Sequence, residues 1–108
     1  MKNITIAATV AAVALTFCVS AADVKDNYDK LCVKCHGADG KGATKMGKKL
    51  GAKDYTDAKV QADLKDDKAF KVIKEGLKEG DKVLMKPAED LSDDDMKALV
   101  AHMRSFKK

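Results

Sequence analysis

Cys32, Cys35 and His36 are the residues whose types and spacing could most directly do chemistry. They stand in the pentapeptide Cys32-Val33-Lys34-Cys35-His36, a C-x-x-C-H arrangement. Its two thiols lie about one helical turn apart, so each can add across a vinyl group of a haem to form a thioether. The adjoining imidazole of His36 then lies where it can bind the iron on one face of the ring. Other chemistries suit the motif less well. A thioredoxin-type dithiol wants its C-x-x-C at the start of a helix that follows a strand, and no βαβ pattern is readable in this chain. A zinc site wants four ligands, whereas outside the motif the only further histidine is His102, far along the sequence.

A haem iron bound by His36 has a second axial position to fill. The candidates are Met46, Met85, Met96, Met103 and His102. Met96 and Met103 fall on the apolar stripe of the last helix, where methionine commonly fills core space. Met46 and Met85 lie in segments read as loops, which can carry a thioether over a ring face. Pro87, the one proline, stiffens the chain just after Met85. These residues favour Met85 over Met46 and leave both open. Iron held by histidine and methionine has a raised reduction potential, because the soft thioether favours the reduced metal.

The elements that must position these groups are helical. Val24, Tyr28, Leu31, Cys32 and Cys35 share one helical face and predict a helix over 23–35 with both cysteines turned inward. Residues 37–53 contain Gly37, Gly40, Gly42, Gly47 and Gly51, which break any periodicity and predict an ordered loop anchored by Met46 and Leu50. A short helical turn is expected within 54–64. Ala69, Phe70 and Ile73 predict a helix over 67–75, stopped by Gly76. Residues 77–91, with Gly80, Met85 and Pro87, are expected to be irregular. Ser92 suits an N-cap, Asp93 to Asp95 suit the first turn of a helix, and Met96, Leu99, Val100, Met103 and Phe106 form its stripe. No strand-like alternation is evident, so the expected fold is all-α, three to four helices with long loops.

Composition agrees with a small exported domain. Met1-Lys2-Asn3 gives a short basic start, residues 4–19 are uncharged and mostly apolar, and Ser20-Ala21-Ala22 supplies small residues before a cut. Residues 1–22 therefore read as a secretory signal cleaved near Ala22, and 23–108 as one domain. An uncleaved membrane anchor is the alternative, since the apolar run approaches the span of a bilayer. Cys18 would leave with the signal, and its neighbour Phe17 does not suit lipidation. The net charge of the 108-residue chain is only +4, with Lys and Asp interspersed, which excludes the dense basic patch of a nucleic-acid binder. With no Trp, and with Tyr28, Tyr55, Phe70 and Phe106 as the aromatics of 23–108, the domain has little core material of its own. A covalent haem would supply it.

The chain resembles the small bacterial class I cytochromes c. The resemblance runs through Tyr28, Cys32-Val33-Lys34-Cys35-His36-Gly37, the turn Asp39-Gly40-Lys41-Gly42, Met85-Lys86-Pro87 and Leu91-Ser92-Asp93. It implies one covalent haem c on Cys32 and Cys35, with His36 as proximal and Met85 as distal iron ligand. It also implies a fold in which the first helix packs across the last beside the haem. Two positions depart from the family pattern. Val24 and His102 stand where a small residue and an aromatic usually meet at the helix crossing, which makes His102 a packing residue. Lys45 stands about where many relatives have a proline whose carbonyl holds the proximal imidazole, leaving open which group orients His36.

A six-coordinate haem has no site for a substrate, so the expected function is single-electron transfer between periplasmic redox proteins, without enzymatic activity. The protein is expected to be a monomer that docks transiently and takes no small-molecule substrate. Lys34, Lys48 and Lys49 are read as solvated lysines more readily than as a docking ring. The rival reading is a five-coordinate haem acting as gas sensor or peroxidase. It would want distal acid–base groups, for which His102 is the only histidine left.

Overall fold

The computed structural model describes residues 21–108. Apart from Ala21 and Ala22, the expected signal segment 1–22 lies outside the described residues, as does Cys18. Among the described residues no helix is long and apolar enough to cross a membrane.

The C-terminal helix organises the rest. Three consecutive aspartates begin it, where carboxylates complement the exposed amides of the first turn. Ser92 accepts a hydrogen bond from the Asp95 amide, and the Asp95 carboxylate accepts one from the Ser92 amide, a reciprocal cap. Numbered in chain order, the elements are α1 (Ala21–Leu31), α2 (Val33–His36), α3 (Lys45–Leu50), α4 (Ala58–Asp63), α5 (Asp66–Glu75), β1 (Leu77–Glu79), β2 (Lys82–Met85) and α6 (Asp93–Arg104). The fold is mostly helical, as expected from the sequence.

Helix α6 packs against both α1 and α5. Val24 and Tyr28 from α1, Ile73 from α5, and Met96, Leu99 and Val100 from α6 form the buried cluster. Met96 is thus core filler. His102 lies at the α1–α6 crossing, its ring centroid 4.7 Å from that of Tyr28 and 5.1 Å from that of Phe106. That is the packing position expected for it.

Three expectations need correction. The first helix does not run unbroken over 23–35: α1 ends at Leu31 and Cys32 forms a turn before α2. Residues 37–53 are not all loop. Thr44 caps α3 through a hydrogen bond from the Gly47 amide, and Gly51 ends it in the left-handed conformation, where glycine is favoured. Residues 77–91 are not wholly irregular either, because β1 and β2 pair antiparallel across the tight turn at Gly80-Asp81. The strands escaped detection because they have no apolar face to alternate with a polar one: Leu77 and Val83 remain 44% and 42% exposed.

The remaining segments are tied by polar groups. The side-chain amide of the buried Gln61 donates to the Tyr55 and Met103 carbonyls at 2.6 and 2.9 Å. The Arg104 guanidinium donates to the Gln61 carbonyl at 2.6 Å, to the Leu64 carbonyl and to the Asp66 carboxylate at 2.7 Å. The end of α6 is thereby fastened to α4 and to the start of α5.

Candidate functional site

Cys32, Cys35 and His36 are brought together by two short helices that nearly continue one another. The Cys32 amide donates to the Tyr28 carbonyl at 2.8 Å and the His36 amide to the Cys32 carbonyl at 2.9 Å. Both cysteines are half-buried, and no disulfide joins them. Burial, aided by neighbouring Cys35, pushes the Cys32 thiol up to about 11. That is the opposite of the lowered thiol that a redox dithiol uses.

The carbonyls of Cys35, His36 and Gly37 are each held from outside the pentapeptide. The Thr44 hydroxyl donates to the Cys35 carbonyl at 2.8 Å. The Gly42 amide donates to the His36 carbonyl at 2.8 Å. The buried Tyr28 hydroxyl donates to the Gly37 carbonyl at 2.5 Å. Helix α3 reaches the motif at Gly47, where a Cβ would run into the carbonyl oxygens of Cys35 and Gly42. Glycine there lets backbone touch backbone. Thr44 and Gly47 were not singled out as functional from the sequence; the Thr-x-x-Gly cap and the terminal Gly51 were the available signal.

The His36 ring stands 5.6 Å from that of Tyr55, edge to face. Its Nδ1 is buried without a hydrogen-bond partner, and burial lowers the imidazole below its usual value. The ring is therefore neutral near pH 7, the form that binds iron. Lys45, where a proline carbonyl was expected by resemblance, is the first residue of α3 and makes no bond to Nδ1. The three held carbonyls fix the backbone around His36, and its ring packs against Tyr55.

Met85 ends β2 and is half-buried. It packs against the same buried cluster as Cys32, Val33, Phe70 and Met103. Met46, its rival, lies on α3 and is not among the residues packed against that cluster.

A cytochrome c family model matches residues 21–107. The chain belongs to the cytochrome c family. Among solved structures, the KustC0563 c-type cytochrome superimposes with a TM-score of 0.68 at 39% identity, covering 78% of this chain and 96% of that one. A tyrosine-to-phenylalanine mutant of Kustc0563 gives 0.67 at 37% identity, with coverages of 79% and 99%. No curated protein matches the chain. The cofactor of this cytochrome is covalently bound haem c with its iron, and the protein is a haem electron-transfer protein whose partners are redox proteins.

The residues fit that cofactor. The enclosed, unpartnered Nδ1 leaves Nε2 as the His36 nitrogen for iron. Cys32, Val33, Phe70 and Met85 all pack, half-buried, against the core cluster, and side chains of that kind would offer a porphyrin apolar surface. Among the described residues no group of three or more His, Cys, Asp or Glu side chains could hold a metal ion.

Proposed function

We propose that this cytochrome is a periplasmic single-electron carrier with haem attached at Cys32 and Cys35 and iron bound between His36 and Met85. The observation that carries the reading is the backbone cage around the C-x-x-C-H motif: the Cys35, His36 and Gly37 carbonyls are all held by residues outside it. A motif so restrained presents its thiols and imidazole in one geometry, which lowers the reorganisation that accompanies each electron. The haem supplies the reversible one-electron couple of its iron.

The residues of the chain do the rest. His36, kept neutral by burial, offers Nε2 as the strong proximal ligand. Met85 would offer the iron a thioether, which favours the reduced metal; with both His36 and Met85 bound, the iron would have no site left for a substrate and the protein would not act as an enzyme. The apolar cluster around Tyr28, Ile73 and Leu99 keeps water from the site and raises the potential further. Residues 1–22 act as the export signal, cut near Ala22, and the mature domain is a monomer that docks transiently with donor and acceptor proteins.

Replacing Cys32 and Cys35 together with Ala tests the attachment. The double variant is expected to release its haem on a denaturing gel, and haem that stays with that polypeptide would refute the assignment. Replacing Met85 with Ala tests the distal ligand: a high-spin oxidised spectrum is expected, and an unchanged low-spin spectrum would point to Met46.

A further inference from the structure

Met85 is held by neither its own strand pairing nor Pro87 alone. In the hairpin, Lys78 faces Val83 and Glu79 faces Lys82, but Leu77 faces Met85. Leu84 is thus the extra residue of a β-bulge. A bulge shifts the following side chain to the other face of the strand, and here the shifted residue is Met85.

The last turn of α5 lies directly against this point. Gly76, which ends α5, has φ 80° and ψ −179°, a conformation available almost solely to glycine. A Cβ on Gly76 would come within 2.7 Å of the Met85 carbonyl oxygen, 2.9 Å of Pro87 Cδ and 3.0 Å of Pro87 N. One residue beyond, the Ala88 amide donates to the Ile73 carbonyl at 2.8 Å, and Ile73 belongs to the buried cluster. The chain at Met85 and just after it is therefore seated on the end of α5, and α5 on the core.

We infer that Gly76 is a positioning residue for the distal ligand: its missing side chain sets how closely Met85 approaches the iron. The inference rests on the assignment of Met85 as ligand. Any side chain at position 76 pushes the Met85 carbonyl and the Pro87 ring away from α5, and the thioether moves with them. Gly80 provides the contrast. It also has positive φ, at 60°, but a Cβ there would meet nothing within 4 Å, so a substitution strains the hairpin tip without displacing Met85.

The experiment uses purified holoprotein and reads the weak far-red methionine-to-iron band of the oxidised form, together with titration by imidazole, which competes for the distal position. Met85→Ala comes first. If the band survives that change, the ligand assignment fails and the inference with it. With the assignment standing, Gly76→Ala is expected to lose most of the band and to bind imidazole roughly tenfold more tightly, while Gly80→Ala keeps the wild-type band and affinity. A Gly76→Ala protein with an unaltered band and affinity overturns the inference, as does a Gly80→Ala protein that changes to the same degree. Should Gly76→Ala not accumulate with haem, Ala88→Pro removes the amide that bonds Ile73 and perturbs the same seat. It is expected to weaken the band equally, and a wild-type spectrum would overturn the inference.

Discussion

Replacing Tyr28 with Phe deletes one hydroxyl and leaves the ring in place. Tyr28 is 1% exposed, and its hydroxyl donates to the Gly37 carbonyl, next to His36, at 2.5 Å. That carbonyl keeps a second, longer bond from the Gly40 amide at 3.2 Å, so it is not stranded. The loss should therefore be that of one neutral hydrogen bond, about 1 kcal/mol at pH 7. For a domain of this size that lowers Tm by about 4–8 °C. The pH dependence adds a sharper test. Burial raises the Tyr28 phenol well above its ordinary value, so the folded protein keeps it neutral while the unfolded chain ionises it near pH ~10. Its stabilising contribution is complete below that pH and is lost as pH rises. The difference in stability between wild type and Tyr28→Phe should shrink by about 1.4 kcal/mol per pH unit above pH ~10, closing near pH ~11. Tyr55, also raised by burial, is present in both proteins and cancels. Thermal melts of both holoproteins by circular dichroism, from pH 7 to 11, measure the gap directly. Equal Tm values at pH 7, or a gap that stays constant to pH 11, would refute the role given to the hydroxyl.

Three further outcomes are expected. Arg104→Ala should cost about 1–3 kcal/mol in urea unfolding, because it leaves the Gln61 and Leu64 carbonyls without their donor, and only the part owed to the exposed Asp66 ion pair, two of the five guanidinium hydrogen bonds, should shrink with salt. Gly47→Ala should reduce the yield of holoprotein and destabilise it by more than about 1 kcal/mol, since its Cβ meets the Cys35 carbonyl; a stability equal to wild type would show that α3 does not need this close contact. Leu99→Ala, at a site 1% exposed in the centre of the core, should cost about 2–5 kcal/mol, read by the same urea titration, without altering the absorption spectrum of the haem.

The attachment motif was legible because five consecutive residues contain its whole chemistry. Helix α6 was equally so, because Ser92, the three aspartates and the apolar stripe are local signals that tertiary structure did not overrule. Helix α3 was hidden by Gly47, which looks like a helix breaker in sequence and serves in the fold as a point of contact with the Cys35 carbonyl. The hairpin was hidden because most of its side chains face solvent and the half-buried Leu84 and Met85 are adjacent rather than alternating. Its one local mark was Gly80-Asp81, a two-residue turn favouring positive φ, and Gly80 does adopt φ 60°. The surroundings of His36 were beyond sequence, since Tyr55, nineteen residues on, meets its ring only through the fold of the intervening loop. The same holds for Gly76, which reads simply as a helix stop, while its closeness to Met85 arises from the hairpin returning over α5.

The most direct test of the account is the visible spectrum of the periplasmically expressed protein, oxidised and reduced, before and after carbon monoxide. His36/Met85 ligation predicts a sharp α-band in the reduced protein, a weak far-red band in the oxidised one, and no shift with carbon monoxide. High-spin bands that shift when the gas is added would mean an iron open to ligands, and would contradict the assignment as a six-coordinate electron carrier.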